Sequence, residues 1–274
     1  MSQTQKTTHF TVQTRLPHLS GTELKWIAIL SMLLDHIGAS LIEGVYFQRS
    51  VAEMSGSLQQ TALPPSALFG WVWQLDQILR TLGRFAFPIF CFLLVEGFLH
   101  TRHFQRYCLR LLVFAFLSEI PFDLAIFGEP VYGDAQNVFF TLLTGLLVMW
   151  GLSRAEANAL RTHADLRSAF ALLPQMCILF AGFAAVILLR SDYDVFGILL
   201  IAILYMTRQN RRLQLICGAV ICLLYSIPAT LTFLLIACYD GTRGKGGKFL
   251  QYFFYAFYPL HLLLFGLLRL FLVP

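Results

Sequence analysis

Long apolar runs alternate with short polar segments along almost the whole chain. A membrane-spanning helix needs about 20 mainly apolar residues, because the hydrocarbon core of a bilayer is about 30 Å thick. The pattern therefore predicts an all-α fold, a polytopic transmembrane helix bundle of about nine spans. The expected spans are 22–43, 82–100, 105–127, 136–152, 169–189, 194–207, 212–226, 228–239 and 249–272.

A proline between the seventh and eighth runs leaves two topologies open. Pro228 cannot continue a helix interior, so two helices are expected, and one kinked helix is the alternative. Cytoplasmic loops carry an excess of Lys and Arg, so the positions of these residues distinguish the two topologies. Every even-numbered gap is basic: Arg102, Arg106 and Arg110; Arg154, Arg161 and Arg167; Arg208, Arg211 and Arg212; Arg243, Lys245 and Lys248. One kinked helix would place the last set outside, so we predict an inside N-terminus and an outside C-terminus.

Composition excludes an ordinary soluble domain. The chain is 57% hydrophobic and only 13% charged, with a formal net charge of +5. The basic inner loops account for this charge, so no nucleic-acid partner is expected. The six cysteines lie in apolar runs without the spacing of zinc ligands, and we expect no metal.

Two segments depart from the regular pattern. Residues 1–21 are polar and lack the apolar core of a secretory signal, so we expect a flexible cytoplasmic tail. Residues 22–274 are expected to form the transmembrane domain, with an outer loop insertion at about 44–81. The end of that insertion, SALFGWVWQLDQILRTLG, predicts an amphipathic helix before the second span.

The stretch LKWIAILSMLLDHIG places titratable groups inside an apolar run. Lys25 and His36 are eleven residues apart, which puts them within about 20° on one helix face and about 16 Å apart along the axis. Ionisable groups at membrane depth are costly, and they mark a functional site or an internal pair. His36 is a candidate general base, with Asp35 as its orienting partner. The structural alternative is a histidine that only hydrogen-bonds a neighbouring helix.

Further polar side chains are expected at the same outer depth. Arg84, Glu119 and Asp123 are candidate catalytic residues, and Arg84 is suited to stabilise an oxyanion. The candidates on the acceptor side are Asn137, Asp192, Asp194 and His261. Structural alternatives remain, namely an ion pair between Arg84 and Glu119 and helix capping by the Asn and Asp residues.

Two basic segments on the inner side predict a phosphate-bearing ligand. HTRHFQRYCLR spaces three arginines along one helix face, and DGTRGKGGKF combines cations with glycines that let backbone N–H groups approach a phosphate. No Ser or Thr follows the lysine as a Walker A loop requires. The candidate ligand-binding residues are Lys25, Arg102, Arg106, Arg110, Arg243, Lys245 and Lys248. The alternative for each loop is charge that only sets topology.

Several segments together resemble a known family. Lys25-x₁₀-His36 resembles the basic-x₁₀-His signature of transmembrane acyltransferases. LKWIAILSMLLDHIG, GRFAFPIFCFLLVEGF, EIPFDL, QNVFFTLLTGLL, DYDVFG and FFYAFYPLH, between about residues 24 and 265, resemble in order the TraX family, named for a pilin N-acetyltransferase. The resemblance implies acetyl-CoA as the acyl donor and His36 as the catalytic base.

The expected function is an integral-membrane acyltransferase of the bacterial cytoplasmic (inner) membrane. It would move an acetyl group from cytoplasmic acetyl-CoA to an extracytoplasmic acceptor, a peptide amine or a glycan hydroxyl. The main alternative is a proton-coupled transporter, since intramembrane acids and histidines also build proton relays, although the inverted repeats typical of transporters are not visible. A non-catalytic scaffold gives no reason to bury so many ionisable groups.

Overall fold

The computed structural model describes residues 18–48, 66–161 and 169–272. Within these ranges, the regular structure consists of ten α-helices and one π-helical segment, so the all-α prediction is confirmed. The elements are α1 (Gly21–His36), the π-helical segment (Ile37–Phe47), α2 (Ser66–Gly83), α3 (Ala86–His100), α4 (Phe104–Ile126), α5 (Val138–Arg161), α6 (Ala169–Leu189), α7 (Asp194–Met206), α8 (Arg211–Tyr225), α9 (Ile227–Ala237) and α10 (Lys248–Leu272).

Length and composition identify several of these helices as membrane spans. The stretches that are long and apolar enough to cross a bilayer are Gly21–Tyr46, Gly70–His100, Val138–Arg161, Leu172–Leu189 and Phe249–Leu272. The apolar helices α7 and α9 have 13 and 11 residues, fewer than the roughly 20 that a perpendicular span needs. A polytopic helical membrane bundle is therefore confirmed, whereas the count of nine spans and their orientation stay predictions.

The centre of the bundle is α3. Its buried face includes Phe87, Ile89, Phe92 and Val95, each no more than 2% exposed. This helix contacts α1, α5, α7 and α9, while α4 and α10 pack along each other beside it. Because α1 and α3 belong to this shared core, the residues near the C-terminal end of α1 are held by several neighbours at once.

The predicted insertion at 44–81 is helical at both of its described ends. It begins within the π-helical segment and ends within α2, and residues 49–65 lie outside the described ranges, as does most of the predicted tail at 1–21. The helix predicted from SALFGWVWQLDQILRTLG is confirmed as α2. It runs antiparallel to α1, because Ser31 bonds to the carbonyl of Leu82 whereas Gly38, farther along, faces Arg80.

The π-helical segment packs between α2 and α10. A Cβ atom at Gly38 would lie 2.9 Å from Asp76 Oδ1, and one at Gly44 would lie 2.9 Å from Arg269 Nη1, so both neighbours approach the backbone closely. Arg269 is 4% exposed and also donates to the carbonyl of Ala125 near the end of α4, at 3.1 Å. This arginine therefore ties the C-terminal ends of α4 and α10 to the π-helical segment, which sequence reasoning did not anticipate.

The helices α8 and α9 form an antiparallel hairpin. Ser226 between them is extended, with φ −164° and ψ 127°, and Pro228 stands at the start of α9. Gly218 of α8 packs on Phe233 of α9, and Arg211 donates to the Ile236 carbonyl at 2.6 Å near the open end. The prediction of two helices is confirmed, and the alternative of one kinked helix is wrong because the chain reverses at the proline.

The close approach at Gly218 gives a test of this hairpin. A side chain there would collide with the Phe233 ring, so Gly218→Val should destabilise the folded protein by about 1–3 kcal/mol through overpacking. Gly70→Val is the matched control, because a Cβ at this helical glycine has no heavy atom within 4 Å among the described residues. Thermal unfolding in detergent should show a lower midpoint for Gly218→Val alone. Equal midpoints for the two variants would contradict the hairpin.

Candidate active site

Two histidines meet where α1 ends. His36 is the last residue of α1, and its Nδ1 atom lies 2.7 Å from Nε2 of His261, which projects from the middle of α10. The rings are stacked with centroids 5.0 Å apart. His261 is 6% exposed, and its Nδ1 atom lies 2.6 Å from the carbonyl oxygen of Phe257, one turn earlier in α10. The sequence placed His261 at the same depth as His36, and the structure brings the two rings into contact.

This chain of contacts assigns the proton positions when both rings are neutral. A carbonyl oxygen can only accept, so the hydrogen of His261 is on Nδ1 and its Nε2 carries a lone pair. His36 must then donate from Nδ1, which leaves the lone pair of His36 on Nε2. The arrangement fixes both the orientation and the tautomer of His36 and gives it one basic nitrogen, as a general base requires.

Asp35 is held by an arginine that sequence reasoning missed. Arg80 of α2 contacts Asp35 Oδ2 at 2.8 Å and Glu43 Oε1 at 3.1 Å. The ring of His36 takes its partner from His261, so the orienting contact expected from Asp35 is made by another residue. Asp76, 2% exposed, lies against the same arginine across Gly38. Arg80 therefore links the outer part of α1 to α2 through carboxylates.

Arg84 occupies the short break between α2 and α3. Its Nη1 atom donates to the hydroxyl of Tyr225 at 3.1 Å, and its guanidinium lies 5.7 Å from the centre of that ring. Tyr225 also stacks on Phe196 at 4.2 Å. Among the described residues, Arg84 makes no ion pair with Glu119, so that structural alternative is not observed.

Glu119 and Asn137 are brought together, and Asp123 has a separate role. Asn137 Nδ2 donates to Glu119 Oε2 and to the Ala115 carbonyl, the latter at 2.8 Å, while its Oδ1 accepts from Phe139 N at 3.1 Å. Helix capping, the structural alternative for Asn137, is therefore observed at the start of α5. Asp123 Oδ2 accepts from the backbone N–H of Tyr132 at 2.8 Å, which fastens the loop after α4.

Asp192 lies in the turn between α6 and α7, and Asp194 is the first residue of α7. Arg190, Tyr193 and Asp194 have positive φ angles of 52°, 64° and 39°, a conformation that is uncommon for residues other than glycine. Thr141 near the start of α5 donates to the Asp192 carbonyl and holds the turn. The surrounding protein desolvates the Asp192 carboxyl and raises its pKa to about 6, although the residue keeps a solvent-accessible face.

Tyr258 of α10 packs beside the two histidines. Its ring lies edge-on to His36 with centroids 5.8 Å apart, and edge-on to His261 with centroids 5.9 Å apart. Asp123, within α4, instead fastens the loop after that helix, and Asp194 begins α7. Sequence reasoning missed Tyr258 because it is one of many aromatic residues in FFYAFYPLH and carries no distinguishing signal there.

The N-terminal end of α1, predicted to be on the inner side, forms a second polar site with the glycine-rich loop. Lys25 and Arg243 line a shallow pocket, and Lys25 Nζ lies 5.7 Å from the centre of the Phe254 ring. The loop is fastened to α1 because Thr22 Oγ1 donates to the Arg243 carbonyl at 2.9 Å. Gly244 has φ +78° and packs directly on the side chain of the residue that caps α1. The described lining is Thr22, Lys25, Arg243, Gly246, Gly247, Leu250, Gln251 and Phe254.

The other predicted inner cations differ in their surroundings. Arg102 and Arg106 are exposed at the start of α4, and Lys245 is exposed in the glycine-rich loop. Arg110 lies between aromatic rings, 5.9 Å from the centre of Tyr255 on α10. The side chain of Lys248 lies outside the described part of the structure. The structure thus joins Lys25 with Arg243, whereas Arg102 and Arg106 lie on an open surface.

Comparison with known proteins agrees with the order of these motifs. The profile of the TraX protein family matches residues 20–269. The chain belongs to the TraX family. A "Probable fimbrial assembly protein FimC, serogroup H1" of Dichelobacter nodosus is 27% identical to this chain over an alignment of 279 residues. The alignment covers 92% of this chain and 97% of that protein. No solved structure matches the chain. The family resemblance seen in the sequence is confirmed, and this TraX-family protein is an integral membrane protein.

The contact between Asp35 and Arg80 predicts energetic coupling in the TraX-family protein. Asp35→Asn and Arg80→Gln should each lower the unfolding midpoint, and the double variant should lose about 1 kcal/mol less than the sum of the two, because each single change leaves a partner without its charge. Asp134 and Arg190, an ion pair with side chains 67% and 58% exposed, form the control cycle and should show no coupling. Additive losses at Asp35 and Arg80 would contradict the pairing.

Proposed function

We propose that the protein is an acyltransferase of the bacterial cytoplasmic membrane. It transfers an acetyl group from cytoplasmic acetyl-CoA to an amine or hydroxyl of an extracytoplasmic acceptor, such as a peptide or a glycan. The observation that carries the proposal is the directed contact from His36 through His261 to the Phe257 carbonyl. A proton relay for transport would pass a proton onward, whereas a backbone carbonyl cannot accept one. This difference favours catalysis over transport.

The proposed reaction uses His36 as a general base. Nε2 of His36 removes a proton from the acceptor as its nitrogen or oxygen attacks the thioester carbonyl carbon. The ring becomes an imidazolium, and the bond from Nδ1 to His261 persists and stabilises the charge. When the carbon–sulfur bond breaks, the CoA thiolate leaves and receives the proton from His36. The cycle then ends with the base in its starting state, without any other proton source.

The seam between α1 and α10 supports a route for the donor. Lys25 and His36 mark the two ends of this seam, about 16 Å apart along α1. Trp26 contacts Phe253 and Phe254 at the inner end, with ring centroids 5.6 and 5.3 Å apart. An apolar acyl arm could lie against these rings, while the phosphates remain at the basic inner pocket. The acetyl group would then arrive beside His36.

The histidine pair gives the first functional test. His36→Gln should lower kcat for acetyl transfer by about 10²–10⁴-fold, because the base is removed, and leave acetyl-CoA binding unchanged. His261→Leu should lower kcat by about 10–100-fold, since the bond that orients His36 is lost. His261→Gln offers an oxygen acceptor and should recover part of that loss. The assay is transfer from labelled acetyl-CoA to an amine acceptor in reconstituted vesicles.

A matched histidine controls for effects on folding. His100 also contacts the carbonyl four residues earlier, that of Glu96 at 2.8 Å, but it is exposed and far along the chain from the pair. His100→Leu should keep full turnover. Full turnover by His36→Gln would end the catalytic proposal, and proton flux without acetyl transfer in the same vesicles would favour the transporter.

The inner pocket predicts which cations bind the donor. Lys25→Ala and Arg243→Ala should each weaken acetyl-CoA binding by about tenfold, equivalent to ~1.4 kcal/mol, because both side chains line the pocket. Arg102→Ala and Arg106→Ala test the alternative that the donor phosphates bind to the exposed arginines near the start of α4. Arg154→Ala, which removes a charge packed on Trp150, is the control. Titration of each variant with acetyl-CoA at two salt concentrations measures the change in affinity. A loss confined to the Arg102 and Arg106 variants would move the donor phosphates to the start of α4.

A further inference from the structure

Tyr258 is a second polar residue that α10 presents to His36. It precedes His261 by three residues, so both lie on the same face of the helix. The Tyr258 ring lies edge-on to both histidines, with centroids 5.8 Å from His36 and 5.9 Å from His261. It is 4% exposed, and the edge of Phe139 closes it from the side of α5 at 5.2 Å. The proton transfers described above leave this buried phenol without a role.

Tyr258 packs against the start of α5. The edge of Phe139, the second residue of α5, contacts its ring. The first N–H groups of a helix have no partner within the helix, and the helix dipole makes this end partly positive. This end of α5 therefore favours negative charge that develops beside Tyr258.

The carboxylates of the candidate site have other donors. Glu119 accepts from Asn137, Asp192 accepts from the backbone N–H of Tyr193 at 3.0 Å, and Asp35 is paired with Arg80. Arg84, the oxyanion-stabilising candidate from the sequence, is bonded to a different tyrosine, Tyr225. A donor that is both beside the base and not committed to a carboxylate is therefore supplied by α10.

We propose that the Tyr258 hydroxyl is a catalytic hydrogen-bond donor to the thioester carbonyl oxygen, which becomes negative when the acceptor attacks. This inference rests on the acyl-transfer function proposed above. As the new bond to the carbonyl carbon forms, the electron pair of the C=O bond moves to oxygen, and His36 holds the proton of the acceptor. Tyr258 donates a hydrogen bond but keeps its proton, and the partly positive end of α5 favours the negative charge. When the C=O bond re-forms, the thiolate leaves and the phenol is unchanged.

The test is the loss of one oxygen atom. Tyr258→Phe should lower kcat by about 10²–10³-fold, the usual cost of removing one oxyanion donor, with the KM for acetyl-CoA unchanged. Tyr205→Phe is the control, because Tyr205 is 2% exposed and donates to Glu156 at 3.3 Å on a different helix, α7. The control loses the same atom from a buried site and should keep full turnover. Thermal unfolding of both variants measures any structural effect.

Fluorinated tyrosines separate catalysis from packing. Incorporated at position 258, they retain the ring and hydroxyl but change the acidity of the phenol. The kcat should follow that acidity if the hydroxyl stabilises negative charge, whereas a residue that only supports packing gives a constant kcat. This series also serves if Tyr258→Phe does not fold. Full turnover by Tyr258→Phe, or a constant kcat across the series, would overturn the role of Tyr258.

The two proposals fail in different ways. If the unmodified protein transfers acetyl groups and His36→Gln does not, the proposed function stands and the Tyr258 result is decided separately. If His36→Gln retains turnover, the base assignment fails whatever Tyr258 does. If the unmodified protein transfers no acetyl group to either an amine or a hydroxyl acceptor, both proposals fall.

Discussion

The interior of a bilayer offers no hydrogen-bond partner to a polar side chain, and this constraint shapes the region around the histidine pair. Polar side chains placed there depend on other protein groups for their hydrogen bonds. His36 is supported by His261, which is supported by the Phe257 carbonyl. These hydrogen bonds have a fixed direction, because the Phe257 carbonyl can only accept. That acceptor therefore determines which nitrogen of the His36 ring carries the hydrogen. A basic nitrogen at membrane depth results from this order.

The same constraint explains why the arginines are shared between helices. Arg80 joins α2 to Asp35 on α1 and to Glu43 on the π-helical segment, while Arg269 joins α10 to backbone carbonyls at the end of α4. A guanidinium has five donors in a fixed plane, so one arginine can satisfy acceptors on several elements. Such residues make the outer ends of the helices dependent on one another.

Much of the fold follows from local signals in the sequence. The apolar runs predict the helices, and Pro228 predicts the end of one and the start of another. The position of His36 at one end of a polar helix face singles it out before its partner is known. Other features depend on contacts distant in sequence. Arg80 meets Asp35 only because α2 returns antiparallel after an insertion, and the proton assignment of His36 depends on a backbone carbonyl 221 positions away, at Phe257.

The π-helical segment that follows His36 sets the phase between two parts of one long helix. It spans 11 residues, longer than the single-turn π-bulges usually found within α-helices. Each π-type turn accommodates an additional residue, so the side chains beyond it are rotated relative to those before it. His36 faces α10 and Gly38 faces α2. Farther along, Glu43 reaches Arg80 of α2 while the adjacent Gly44 lies against Arg269 of α10, so the segment presents consecutive residues to two different helices.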